Sequence, residues 1–120
     1  YTTENIEFYE PDVWRGKSDD KKQGSEGVWE PNYAIDGSMA QLKDLYDQMI
    51  YDGCAPEQAR MVLPQSTMTE WYWSGSLDAF MDMCNLRCKL DTQYETRLVA
   101  DYIKSEMINL FPVSVGALVK

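Results

Sequence analysis

Histidine is absent from this chain of 120 residues. The gap removes the commonest general base and the commonest metal ligand. No Ser-His-Asp or Cys-His arrangement can be assembled from what remains. Cysteine is scarce: Cys54, Cys84 and Cys88 make an odd count with no C-x-x-C pair, which argues against a zinc site. Cys84 and Cys88 stand four apart on a predicted helix, where thiols pack as small hydrophobes, so a reduced, cytoplasmic protein is expected. No apolar run approaches membrane-spanning length, and the N-terminus lacks a signal-peptide pattern. Positive charge is short as well, 11 Lys and Arg against 20 Asp and Glu, for a net charge of −9. A chain so acidic has no surplus to neutralise a nucleic-acid backbone. A small anionic ligand is a different matter, because it needs only a local positive focus. There is no Gly-rich phosphate loop. Any chemistry done here must borrow its reactive group from a cofactor or a substrate.

What is present suits a folded chain. The hydrophobic fraction is 44% and aromatic residues make up 12%, enough for a modest core. The first residue is Tyr1 rather than Met, so the sequence reads as a fragment or a processed product. Residues 1–10 alternate Ile6 and Phe8 on one face before Pro11 and predict a strand. Residues 14–37, rich in Gly, Ser and charge, read as a long loop. From Ser38 to Asp52 the positions Met39, Leu42, Tyr46, Met49 and Ile50 recur at helical spacing. Asp36 or Ser38 can cap that helix and Gly53 can stop it. Pro56 suits the first turn of a short helix over 56–63 that Pro64 ends. Thr, Trp and Tyr favour a strand over 67–75.

Ser76 can cap a helix to Cys88 whose apolar side is Leu77, Phe80, Met81, Cys84 and Cys88. Thr92 and Glu95 match a capping box for a last helix running to about Phe111. Its expected buried side is Tyr94, Leu98, Val99, Tyr102 and Ile103, and Pro112 prevents its continuation. The fold class is α+β, antiparallel strands packed with helices and mostly helical.

Two arginines stand where the pattern wants apolar residues. Arg60 precedes Met61-Val62-Leu63, and Arg87 comes late in the helix beginning at Ser76. At about 100° per residue, Asp78, Asp82 and Asn85 form a polar stripe on one flank of that helix, and Arg87 lies on the opposite flank near Phe80 and Met83. An arginine at a buried edge needs an anionic partner. For Arg87 this is either a carboxylate of another element or a ligand. For Arg60, Glu57 is a possible partner one turn back.

The order of these pieces, "EQARMVLP", "TMTEWYWSGSLDAFMDMCNLR" and "TQYE", resembles the C-terminal half of flavin-dependent thymidylate synthases. The matching residues are Glu57, Arg60, Val62-Leu63-Pro64, Leu86-Arg87 and Gln93-x-Glu95, over roughly residues 53–112. The "EFYEP" stretch looks like the segment just after the family's signature. The signature itself, an Arg-His-Arg run followed by serine, glutamate and arginine, would lie before Tyr1. The resemblance implies one α+β domain of which this chain is the C-terminal portion, incomplete by itself and assembled as a homotetramer with sites shared between subunits. It implies methylation of deoxyuridylate at C5, with methylenetetrahydrofolate as carbon donor and NADPH-reduced FAD as hydride source. Arg87 takes the role of contacting the uracil ring and stabilising its N3-deprotonated form, and Arg60 that of a second nucleotide contact. The positions that touch flavin in the family are Ser76, Asp78 and Asp82 here, and a histidine common after Leu-Arg is Asp91. No metal is implied. The alternatives are a related uracil-nucleotide methylase or hydroxymethylase, and a non-catalytic acidic binding protein.

Overall fold

The computed structural model describes residues 5–20 and 24–120. It is α+β and mostly helical. The strands are β1 (Arg15–Lys17) and β2 (Ser25–Val28); the helices are α1 (Asp36–Tyr51), α2 (Pro56–Ala59), α3 (Leu77–Arg87), α4 (Tyr94–Leu110) and α5 (Pro112–Leu118). A 3-10 turn over Arg60–Val62 continues α2. The chain forms two compact units. One takes the described residues up to Trp14 with Glu30–Tyr72; the other takes the described part of Arg15–Trp29 with Trp73–Lys120.

In the first unit, α1 packs on α2 and its 3-10 extension. Tyr46 and Ala59 are fully buried there. Gly53, at φ +93°, ends α1 in the left-handed region that glycine enters without a Cβ clash. The start of α1 differs from expectation. Ile35 occupies the cap position with no side-chain bond, and Asp36 is already helical, its carboxylate accepting from the Gly37 N–H at 3.1 Å.

The strand expected over residues 1–10 shrinks to one antiparallel bridge, Phe8 with Thr67. The Tyr9 and Met68 N–H groups donate to Ser66 and Glu7 carbonyls, each at 2.8 Å. The first four residues of that stretch lie outside the described set. The strand expected over 67–75 is likewise absent beyond Thr67: its residues favour extension, yet no neighbouring ladder continues past the bridge.

The second unit begins with a surprise. A β-hairpin, β1 antiparallel to β2, occupies the stretch read as loop. Arg15 pairs with Val28 and Gly16 with Glu26, so Gly27, at φ +59°, is the extra residue of a bulge. A Cβ on Gly16 would collide with the Glu26 carbonyl oxygen. Arg15 Nε donates to Ser25 Oγ at 3.0 Å, and its guanidinium lies 5.4 Å from the Tyr94 ring centre. Solvated, polar strands carry no alternation of apolar residues, which hid them from pattern reading.

Helices α3, α4 and α5 pack around Met81, Cys84, Met107 and Val115, with Leu77, Phe80, Met83, Cys88, Ile103 and Leu118 against them. The expected inner side of α3 is therefore observed. For α4 the expected face is displaced: Ala100 and Met107 are buried, whereas Leu98, Val99 and Tyr102 are exposed. The capping box is not made either. Gln93 is the cap residue without a side-chain bond, and Thr92 Oγ1 donates instead to the Leu86 carbonyl at 3.3 Å, closing the end of α3. Pro112 ends α4 as expected and then occupies the first turn of α5, where its missing N–H costs nothing.

Tyr46 Oη is buried with no hydrogen-bond partner among the described residues. An unsatisfied buried hydroxyl costs about 1–3 kcal/mol. Tyr46→Phe is therefore expected to leave stability unchanged or raise it by about 1 kcal/mol, read from urea unfolding midpoints at constant slope. A clear loss would show that the hydroxyl is satisfied in solution.

Candidate functional site

The resemblance residues fall into both units. Arg60 lies in the first, and Ser76, Asp78, Asp82 and Arg87 lie along α3 in the second.

Arg60 is half-buried, and its Nε donates to the Pro56 carbonyl at 3.1 Å. That bond caps a helix carbonyl and fixes the direction of the guanidinium. Arg87 is the last residue of α3, where a cation complements the helix C-terminus. Contrary to the expectation of a buried edge, it is exposed, because α3 ends there and the side chain runs into solvent. No hydrogen bond or ion pair holds it among the described residues. The carboxylate expected from another element is thus not found, and the guanidinium keeps its full set of donors.

Ser76 caps α3 as expected, its Oγ accepting from the Ala79 N–H at 3.4 Å. The same hydroxyl bonds Asp78 Oδ1, and this bond, followed by the Ala79 N–H, holds the Asp78 carboxyl below its ordinary 3.8. A lowered carboxyl contributes stability above about pH 3.8 that fades as pH falls below it. Asp82, one turn on, accepts from Lys120 Nζ at 3.3 Å. Next along the stripe, Asn85 donates to the Leu118 carbonyl at 3.1 Å and accepts from the Lys120 N–H at 3.2 Å. Lys120, which no local motif singled out, thereby joins the site.

Taken together, Ser76, Asp78 and Asp82 are acceptors. They fit hydroxyl donors such as the ribose and ribityl groups of FAD, and by themselves they do not fit its pyrophosphate. Beside the start of α3 lies a groove of about 490 Å³ whose walls include Trp73, Phe80, Tyr102, Ile103 and Phe111. The Trp73 and Phe80 rings are 4.8 Å apart and tilted by 51°. Glu106 is the charged residue in that lining. Such walls suit a flat, apolar body. In the first unit a cleft of about 260 Å³ is lined by Trp14, Tyr33 and Met39 together with Glu10 and Pro11 of the "EFYEP" stretch, and it includes none of Arg60, Ser76, Asp78, Asp82 or Arg87.

Residues 1–113 match the family model described as thymidylate synthase complementing protein. The chain belongs to this family. The match extends well beyond the stretch of roughly residues 53–112 that carried most of the resemblance, taking in the hairpin and α1. Among curated relatives, a flavin-dependent thymidylate synthase of Thermus thermophilus is 32% identical over 118 residues, covering 89% of this chain and 42% of that protein. That of Thermosipho africanus is 31% identical over 106 residues, covering 83% of this chain and 46% of the relative. That of Synechocystis is 30% identical over 96 residues, at 80% and 40%. The chain spans less than half the length of these relatives. No solved structure matches it. Among the described residues, no group of three or more acidic or thiol side chains converges as a metal site, and no helix is long and apolar enough to cross a membrane.

The thiols sit behind the site. Cys84 Sγ donates to the Ala100 carbonyl at 3.6 Å, and burial raises its pKa. Burial, with hydrogen bonding to Asp101, pushes Cys88 up to about 12. Both thiols therefore stay protonated at pH 8; the stability Cys88 contributes is full below pH 9 and lost as pH climbs toward 12, and that of Cys84 is likewise lost as pH rises above 9. Titration with a thiol reagent at pH 8 is expected to label Cys54 first, with Cys84 and Cys88 at least about tenfold slower, since the thiolate is the nucleophile. Equal rates would contradict this packing.

Proposed function

We propose that the protein carrying this segment makes thymidylate by flavin-dependent methylation of deoxyuridylate at C5. Methylenetetrahydrofolate donates the carbon, and FAD reduced by NADPH supplies the hydride. The segment is the C-terminal portion of a single α+β domain. The observation that supports this most is Arg87, an exposed guanidinium without a partner among the described residues, in register with the family's Leu-Arg position. A planar, permanently charged fork suits the negative charge that develops across N3 and the carbonyl oxygens of a uracil ring. Arg60, oriented by the Pro56 carbonyl, is a second nucleotide contact. Ser76, Asp78 and Asp82 accept from the sugar hydroxyls of FAD when it is bound.

No general base is called for on this chain. A reaction that draws its carbon and hydride from co-substrates is consistent with a sequence lacking histidine. We further propose a cytoplasmic homotetramer. Exposed Met61, Trp71 and Val113 support subunit contacts, because large apolar side chains left in water on this scale favour association.

The test is Arg87→Ala in the complete gene product, with the product formed from deoxyuridylate identified by mass. Loss of roughly 10²–10³-fold in kcat with an unchanged circular dichroism spectrum is expected. Arg60→Ala is expected to act chiefly on KM. A hydroxymethylated product would redirect the reading to a related uracil-nucleotide enzyme, and Arg87→Ala methylating at the wild-type rate would remove Arg87 from the mechanism. Wild-type protein with neither flavin nor nucleotide binding would leave a non-catalytic acidic domain.

A further inference from the structure

The cleft of the first unit has a lining unlike that of the groove beside α3. Its walls carry two aromatic side chains, Trp14 and Tyr33, and its charged residues are Glu10 and Asp36; the rest of the lining is apolar. Among the described residues no Lys or Arg lines it, and neither carboxylate forms an ion pair. The Asp36 carboxylate accepts from the Gly37 N–H at 3.1 Å, which leaves its second oxygen open.

The surroundings are negative as well. Ten of the chain's 20 Asp and Glu fall in residues 5–14 and 30–72, against two cations, Lys43 and Arg60. Lys43 is taken by Asp47 at 2.9 Å, and Arg60 is turned to the Pro56 carbonyl. The start of α1, at Asp36, contributes only about half a unit of positive charge against two full carboxylates. The sum at the cleft is negative, and it favours a cation.

The walls narrow the choice of cation. A divalent metal ion calls for six or more oxygen ligands, which apolar walls with two carboxylates do not offer. A primary ammonium brings three donors, and such walls leave part of that set unpaired. A quaternary ammonium has no donor to leave unpaired, its charge is attracted to the faces of Trp and Tyr, and its methyl groups suit apolar neighbours. At about 260 Å³ the cleft lies below the roughly 300–1,000 Å³ of ordinary ligand pockets, so it suits a head group rather than a nucleotide.

We propose that this cleft binds the quaternary ammonium head of a small organic cation, held against the Trp14 and Tyr33 rings and neutralised by Glu10 and Asp36. The inference is independent of the flavin reading, since none of its residues belongs to α3.

The experiment titrates the complete gene product with choline and with its uncharged analogue, in which a tert-butyl carbon replaces the nitrogen. Binding is read from the line widths of the ligand methyl protons. Choline is expected to bind at least about tenfold more tightly than the analogue. Trp14→Leu and Tyr33→Leu are each expected to weaken choline about fivefold or more, and Tyr33→Phe, which keeps the ring, to retain it. Glu10→Gln should weaken choline and leave the analogue unchanged. Equal binding of the two ligands would make the cleft merely apolar and overturn the proposal; this comparison uses wild-type protein and needs no variant to fold. Absence of choline binding to the wild-type protein overturns it too. So does full retention of choline by Trp14→Leu and Tyr33→Leu.

Discussion

Helix α3 has two sides that do opposite work, and the second unit is arranged around that division. Its inner line, Met81 and Cys84, is driven out of water against Met107 of α4 and Val115 of α5. Burying a side chain of methionine size contributes about 1.5–3 kcal/mol, so this small cluster decides how the three helices approach. Once it is set, the outer flank of α3 has no freedom to rotate. Ser76, Asp78, Asp82 and Asn85 face away from the core because the apolar residues between them face in.

Proline then determines what reaches that flank. Pro112 cannot extend α4, and in the first turn of α5 it turns the chain back. The seven residues of α5 place Val115 in the core and bring Leu118 and Lys120 to Asn85. A backbone clamp, an ion pair and a hydrophobic contact act on one short segment. Each is weak. Together they hold the segment after α5 against the outer flank of α3.

Charge follows the same division. The thiols on the inner side are pushed toward their neutral forms by burial, whereas Asp78 on the outer side is held ionised by a hydroxyl and an N–H. One helix thus carries a neutral interior and an acidic exterior within a few residues of each other.

Sequence by itself was sufficient for α1 to α4, because their signals are local: Pro56, Gly53, the Ser76 cap and the inner line of α3 depend on neighbours three or four residues away, whereas α5 was not anticipated. It also carried the family, through the register of Arg60, Arg87 and Gln93-x-Glu95. The tertiary structure decided the rest. The hairpin of polar strands, the strand at 67–75 reduced to a bridge, and the face that α4 buries all depend on which neighbour is present. The Thr92 hydroxyl donates to the Leu86 carbonyl at the end of α3 rather than accepting an N–H at the start of α4, a choice that packing made. Lys120 is the clearest case. It lies 38 residues from Asp82, a separation that no periodic pattern spans and that only the fold closes.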